Sequence, residues 1–149
     1  MNKWIATSLA LLSMSGCTIY SYDTVEEPVV VHTEPPVVYN STPIVLDAAA
    51  GVYWDDFYWD DIWYFEATVD DGDGPYDVAT VWADVYDDWN GQLIESFELY
   101  PTNDPYIWYS DWLGQSTWLD PFYRGYTVDI TAYDVYEDFD TMTVWAYTY

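Results

Sequence analysis

Residues 125–134 read GYTVDITAYD, and the alternation within this stretch decides the fold class. Every second residue is one that can face a core, namely Tyr126, Val128, Ile130 and Ala132. The residues between them, Thr127, Asp129, Thr131 and Tyr133, can face solvent. A period of two in a run of β-branched and aromatic residues is typical of a strand with one buried face. The stretch therefore predicts a half-buried β-strand.

The same pattern recurs along the chain from residue 43 onward. Alternating or β-rich runs occupy residues 44–46, 63–69, 81–86, 92–99, 106–112, 126–133 and 142–146. Asn90-Gly91 is a strong signal for a type I′ hairpin, and the Asp-Gly pairs at 71–74 and the acidic run 137–140 predict further turns. No stretch shows helical periodicity. About seven short strands at this spacing predict an all-β, antiparallel sandwich.

The last two predicted strands resemble those of bacterial immunoglobulin-like and PKD-like domains. Residues 125–134, a turn and then Thr143-Val144-Trp145-Ala146 are similar to the end of those domains, which carry a G-x-Y-x-V-x-V-x-A-x-D pattern there. The resemblance implies a single immunoglobulin-like β-sandwich over residues 43–149, with the tyrosine at the corner before its strand. It also implies an extracellular spacer, adhesion element or binding module, which narrows function little.

Residues 1–16 have the features of a secretory signal peptide: one basic residue, Lys3, then a short apolar run and small residues. The apolar run is too short to span a bilayer. Met14-Ser15-Gly16-Cys17 resembles the lipobox of bacterial lipoproteins, in which the cysteine becomes the acylated first residue of the mature protein. By that resemblance Cys17 carries the lipid, and Thr18 after it favours the outer membrane over the inner membrane. The alternative is an ordinary signal peptide with an unpaired cysteine nearby.

Residues 17–42 predict a spacer between the lipid and the domain. Pro28, Pro35 and Pro36 lie in a Val- and Glu-containing stretch without glycine, a composition typical of an extended, semi-rigid chain. The alternative is an edge strand, because the stretch is also rich in β-formers.

The charge excludes several classes of partner. The chain has 27 Asp+Glu against 2 Lys+Arg, a formal net charge of −25. Removal of Lys3 with the signal peptide would change this to −27 + 1 = −26. Phosphate backbones and anionic lipid head groups would repel such a protein, so we expect no nucleic-acid partner. With 51% hydrophobic residues the chain is too apolar for a disordered acidic polymer, and we expect a packed core.

The first candidate site is a cluster of carboxylates that would bind Ca²⁺. The two loops that join predicted strands two to three and six to seven lie at the same end of such a sandwich. Eight acids in these loops are candidate metal ligands: Asp70, Asp71, Asp73, Asp77, Asp134, Glu137, Asp138 and Asp140. A hard cation that takes six to eight oxygen ligands would relieve their repulsion. The alternative is that these loops simply share the acidity of the whole chain.

The second candidate site is an aromatic face on the third, sixth and seventh predicted strands. Its outward positions would be Trp82, Tyr86, Tyr133, Trp145 and Tyr147. Rings interleaved with carboxylates and hydroxyls can stack sugars or contact another protein. The alternative is that these rings only stabilise the sheet through cross-strand pairs.

Catalysis is not expected. The domain lacks histidine and cysteine, a Ser-His-Asp set and a glycine-rich phosphate loop. We therefore expect a lipid-anchored envelope protein that displays a non-catalytic binding or structural module, with an envelope protein or a glycan as partner. The alternative is a Ca²⁺-dependent carbohydrate-binding module that uses the aromatic face.

Overall fold

The computed structural model describes residues 39–149, and β-strands dominate this part of the chain. The strands are β1 (Ile44–Asp55), β2 (Asp60–Asp70), β3 (Val78–Asp87), β4 (Gln92–Pro101), β5 (Ile107–Leu113), β6 (Tyr126–Asp134) and β7 (Phe139–Trp145). A single 3₁₀ turn, Gly114–Ser116, follows β5. The predicted signal peptide, Cys17 and the spacer up to residue 38 lie outside the described residues.

The strands form an antiparallel sheet in the order β1-β2-β5-β4-β3-β6-β7. The link between β5 and β4 consists of only two residue pairs, Tyr100 with Tyr109 and Pro101 with Trp108. The sheet therefore folds into two layers, β1-β2-β5 and β4-β3-β6-β7. Strands one, two and five on one side and three, six and seven on the other are arranged as in an immunoglobulin-like sandwich, except that β4 pairs mainly with β3 and not with β5. The predicted fold class is confirmed.

The free edges of the two layers meet where β1 approaches the end of the chain. Gly51 forms a parallel bridge with Tyr147, supported by hydrogen bonds from Val52 N–H to Tyr147 O and from Tyr147 N–H to Ala50 O, each 2.9 Å. A Cβ on residue 51 would lie 2.9 Å from the Tyr147 oxygen. Glycine is thus required for this close approach, which covers the middle of the β1 edge against pairing with another chain.

The core lies between the layers and is built from the inward positions of both. Phe65 of β2 stacks on Phe97 of β4 with ring centroids 4.6 Å apart, and Trp63 of β2 meets the edge of Tyr126 of β6 at 5.8 Å. The small and β-branched positions of β3 and β6 complete the packing: Val81, Ala83, Val85, Val128, Ile130 and Ala132 are almost fully buried. These are the positions that the alternation in the sequence predicts as buried.

Tyr126 lies at the corner where β6 begins. Its ring is buried, and its hydroxyl oxygen accepts a hydrogen bond of 3.0 Å from the backbone N–H of Asp120, six residues upstream. A tyrosine at the start of the sixth strand with this backbone contact is the tyrosine corner of immunoglobulin-like sandwiches.

The first strand is longer than its sequence predicts. Alternation is visible only at 44–46, whereas β1 continues through Ala48-Ala49-Ala50-Gly51 to Asp55. A register shift between Val45 and Asp47 interrupts the period, and the small residues carry no strong strand signal. Pairing with β2 along its whole length imposes the extended conformation instead.

Candidate cation site and outer sheet faces

Two loops and the segment before β1 come together at one end of the sandwich, called here the loop pole. Val78 at the start of β3 pairs with Asp134 at the end of β6, so the β2–β3 and β6–β7 loops are neighbours. Asn40 and Ser41 join the two loops through hydrogen bonds to Asp134 and Asp73. The loop pole therefore contains the region in which the sequence places its acidic candidates.

Asp71, Asp73 and Asp77 converge at the loop pole. One carboxylate oxygen from each lies within 4.8 Å of the others. Asp71 is only 4% exposed, and its Oδ1 accepts the N–H of Asp73 at 2.8 Å. Its Oδ2 is buried and has no hydrogen-bond partner among the described residues. A buried carboxylate oxygen without a donor is costly, and native structures rarely leave one unpaired.

The electrostatics of the β2–β3 loop reflect this crowding. The pKa of Asp77 is raised by desolvation first, and then by the negative charges of Asp71, Asp73 and Asp134. Like charges that stand this close disfavour one another's ionised form, whereas a bound cation would favour it.

Asp134 organises the neighbouring loop. Burial acts to raise the pKa of its carboxyl, but hydrogen bonds from the Asn40 side chain and from the backbone of Tyr136, Asp138 and Glu137 outweigh this and lower it. The Tyr136 and Asp138 N–H groups lie 2.7 and 2.9 Å from Oδ1. Both oxygens of the Asp134 carboxylate thus accept hydrogen bonds, and those from Tyr136 and Asp138 fix the conformation of the β6–β7 loop.

The other four predicted ligands do not join the cluster. Asp70 Oδ1 accepts the N–H of Asp71, and Asp140 Oδ2 accepts the N–H of Val45, both at 2.9 Å. Asp138 accepts a hydrogen bond from Asn40. Glu137 is exposed and has a positive φ of 70° at the tip of its turn. Of the eight acids that the sequence proposed, the structure brings three together.

Asn40 and Ser41 are part of the loop pole, although the sequence analysis placed them in the spacer. The Ser41 N–H donates to Asp73 Oδ2 at 2.7 Å, and the Asn40 amide bridges Asp134 and Asp138. Ser41 lies directly over Gly72, where a Cβ would come within 2.6 Å of its hydroxyl. The only sequence signal for this contact is a polar Asn-Ser-Thr run before the first strand, a pattern equally typical of a linker.

The outer face of β4-β3-β6-β7 carries four of the five predicted aromatic residues, and we call it the ligand face. Cross-strand register places Tyr86 opposite Thr127 and Thr127 opposite Trp145, while Tyr133 faces Phe139. Trp82 lies between Glu98 and Thr131. Trp145 and Tyr147 are 61% and 71% exposed. Trp82, Tyr86, Tyr133 and Trp145 point away from the core on this face, and the first three are half-buried. Tyr147 lies beyond the end of β7 and pairs with Gly51 of β1 close to Tyr64, so it lies at the seam between the layers and not on the ligand face.

Two aspartates lie at the centre of the ligand face. Asp84 of β3 is directly opposite Asp129 of β6. Asp84 accepts a hydrogen bond from Ser96, and Asp129 accepts one of 2.6 Å from Thr143. The pKa of the neighbouring Tyr86 is raised, mainly by burial and to a smaller extent by the negative charges of these two carboxylates. The ligand face is therefore a carboxylate pair flanked by rings.

The opposite layer carries an acidic aromatic surface that the sequence analysis missed. Tyr53 and Tyr64 approach with ring centroids 6.1 Å apart, and Tyr109 joins them across β2 and β5. Burial, followed by the charge of Asp111 and the proximity of Tyr53, raises the pKa of Tyr109 to about 12. This surface depends on the unpredicted part of β1, which supplies Tyr53.

No family model, no curated protein and no solved structure matches this chain. Among the described residues, no helix is long and apolar enough to cross a membrane. Two arrangements on this domain can bind a ligand: the carboxylate cluster at the loop pole and the carboxylate pair among rings on the ligand face.

Proposed function

We propose that this chain is a lipid-anchored protein of the bacterial cell envelope whose sandwich is a non-catalytic binding module for a cationic partner. The observation that carries the binding function is the cross-strand pair Asp84–Asp129, set between Tyr86 and Trp82 and next to the exposed Trp145. The partner chemistry that fits is a Lys- or Arg-rich segment of an envelope protein.

Charge complementarity supports a cationic partner. Like charges directly opposite each other on neighbouring strands are destabilising, and in the described part of the chain only hydroxyl groups donate to this pair. A cationic side chain would neutralise the pair and lie against the faces of the rings, which attract cations. The formal net charge of −25 would also steer such a partner toward the molecule.

The anchor is supported by the sequence alone. Cys17 is the single cysteine of the chain and lies where the lipobox resemblance requires it. Acyl chains add about 0.8 kcal/mol of membrane affinity per buried CH₂, and two or more chains make attachment durable. Retention in the membrane fraction after a salt wash should be lost in Cys17→Ser; retention of that variant would refute lipidation as the attachment.

The lack of histidine and cysteine between residues 39 and 149 supports a non-catalytic role, because general-base and nucleophilic chemistry most often use these residue types. Carboxylate pairs do serve glycoside cleavage. In a chain with 27 acids, however, such pairs also arise by chance.

A second candidate function is binding of carbohydrate, with a dependence on Ca²⁺. It is favoured by Trp145, an exposed ring on the same strand as Thr143, whose hydroxyl bonds to Asp129, since sugars stack on rings while their hydroxyls bond to polar neighbours. Salt separates the candidates: binding of a cationic peptide weakens as ionic strength rises, whereas binding of a neutral sugar does not.

The experiment compares an oligo-lysine peptide with neutral oligosaccharides as ligands of the full chain at low and high salt. Trp145→Ala and Asp129→Asn should each weaken peptide binding at least about tenfold, in line with the loss of one central interface contact. Trp118→Ala, between β5 and β6, and Asp56→Asn, in the turn between β1 and β2 of the other layer, change exposed residues outside the four strands of the ligand face; they are the matched controls and should bind like the parent. Equal losses in the control variants would show binding by net charge alone and refute the ligand face.

A further inference from the structure

We propose a divalent cation site for Ca²⁺ at the loop pole, formed by the carboxylates of Asp71, Asp73 and Asp77. The inference is independent of the ligand face, because the cluster lies in the β2–β3 loop and not on the outer sheet. Two observations carry it: oxygens of the three side chains lie within 4.8 Å of one another, and Asp71 Oδ2 is buried without a partner among the described residues.

The buried oxygen is the decisive observation. Exposed acids are common on this protein and need no ligand, but Asp71 is only 4% exposed. Its Oδ1 accepts the Asp73 N–H, so Oδ2 is the buried oxygen that has no donor among the described residues. Neighbouring carboxylates cannot compensate it, because ionised carboxylates only accept hydrogen bonds. A cation coordinated by Oδ2 would compensate it directly.

The donor set selects the class of metal. All three side chains offer oxygen, which suits the hard cations Ca²⁺ and Mg²⁺ rather than zinc, whose structural sites use Cys and His. Ca²⁺ accepts six to eight oxygens in flexible geometry, so loop carbonyls and water can complete the shell. Mg²⁺ demands near-ideal octahedral geometry at shorter distances, which an open loop cluster does not impose.

The site also ties the segment that leads into β1 to the rest of the domain. Ser41 N–H donates to Asp73 Oδ2 at 2.7 Å, and Ser41 lies over Gly72 within the same loop. A cation that holds Asp73 in place therefore strengthens the attachment of residues 40 and 41 to the loop pole.

The test is a thermal melt of the full chain with Ca²⁺, with Mg²⁺ and with EDTA, at matched ionic strength. Ligand that binds only the folded state stabilises it in proportion to ln(1 + [L]/Kd), so a roughly hundredfold excess of Ca²⁺ over Kd should raise Tm by about 10 °C. Mg²⁺ at the same concentration should raise Tm by less than half as much. Trp145→Ala should retain the full Ca²⁺ shift, because it lies on the ligand face.

Asp71→Asn is the decisive variant, and Asp88→Asn, just beyond the far end of β3, is its matched control for the loss of one charge. The amide introduced by Asp71→Asn keeps an oxygen for the Asp73 N–H while the buried charge is lost, so we expect a metal-free Tm at or above that of the parent and no Ca²⁺ shift. Asp88→Asn should shift like the parent. If Asp71→Asn does not fold, Asp77→Asn, at a half-buried position, replaces it and should likewise show no Ca²⁺ shift. An absent Ca²⁺ shift in the parent, or an equal shift in the variant and control, would overturn the site.

Discussion

At the scale of single residues, Tyr126 joins the corner of the chain to the core. Its ring contacts Trp63 across the sandwich and Tyr123 beside it, and its hydroxyl satisfies the Asp120 N–H. Tyr126→Phe removes only the hydrogen bond and should lower the free energy of unfolding by about 1 kcal/mol in chemical denaturation. Tyr100→Phe, which loses an exposed contact with Glu98, should change it by less than about 0.5 kcal/mol. Equal effects would contradict the role of the corner.

Tyrosine ionisation gives a second prediction at this scale. The pKa of Tyr109 is raised to about 12 by burial, the Asp111 charge and contact with Tyr53, so the folded state holds the phenolic proton more tightly than the unfolded state does. Stability from this group is full below the ordinary pKa of about 10 and is lost as pH rises from about 10 through 12. Absorbance titration of the parent should show late-ionising tyrosines, one fewer in Tyr109→Phe. An unchanged late step in that variant would contradict the assignment.

At the scale of elements, the alternating pattern predicts most strands because burial on one face enforces a period of two. The prediction succeeds for β6, where Val128, Ile130 and Ala132 are buried. It is incomplete for β1, whose Ala-Ala-Ala-Gly stretch is extended because β2 pairs with it. Residue propensities describe only local preference. They therefore do not predict a strand whose extended conformation depends on pairing with a neighbouring strand. The aromatic surface around Tyr53 was missed for this reason.

The Asp84–Asp129 pair gives a prediction for the ligand face as an element. Asp129→Asn keeps an acceptor for the Thr143 hydroxyl but removes the like charge opposite Asp84. We expect this variant to gain roughly 0.2–1 kcal/mol of stability at low salt, and less at high salt, while it loses affinity for the cationic peptide. Denaturation at two salt concentrations measures the gain. A loss of stability together with unchanged binding would show that the pair serves the sheet rather than a ligand.

At the scale of the whole molecule, the acidic residues show where sequence reasoning reaches its limit. The β2–β3 and β6–β7 loops lie at one end of the sandwich, as the predicted strand order requires. Which carboxylates then converge depends on the local loop conformation. Asp140 is held by the Val45 N–H and Asp134 by its own loop, whereas Asp71, Asp73 and Asp77 converge within the β2–β3 loop. Side-chain direction in a loop follows from backbone turns that composition does not specify.

The acidity of the whole chain also affects every test of binding. Arg124, the one Lys or Arg beyond residue 3, donates to the backbone oxygen of Tyr149 at 2.7 Å. A protein with a net charge of −25 attracts any cation weakly. Evidence for a specific site must therefore show where on the protein the cation binds, because binding alone is expected.

The most direct measurement of the central claim is to map a bound Lys- or Arg-rich peptide on the tryptophan side chains of the full chain by NMR of their indole N–H groups. The chain has 10 tryptophans, and those described are distributed over the core, the ligand face and other surfaces. Binding at the ligand face predicts that the signals of Trp82 and Trp145 shift in a saturable way, while those of Trp118 and the buried Trp63 remain unchanged. Uniform small shifts of all exposed indoles, or shifts that spare Trp82 and Trp145, would contradict the account.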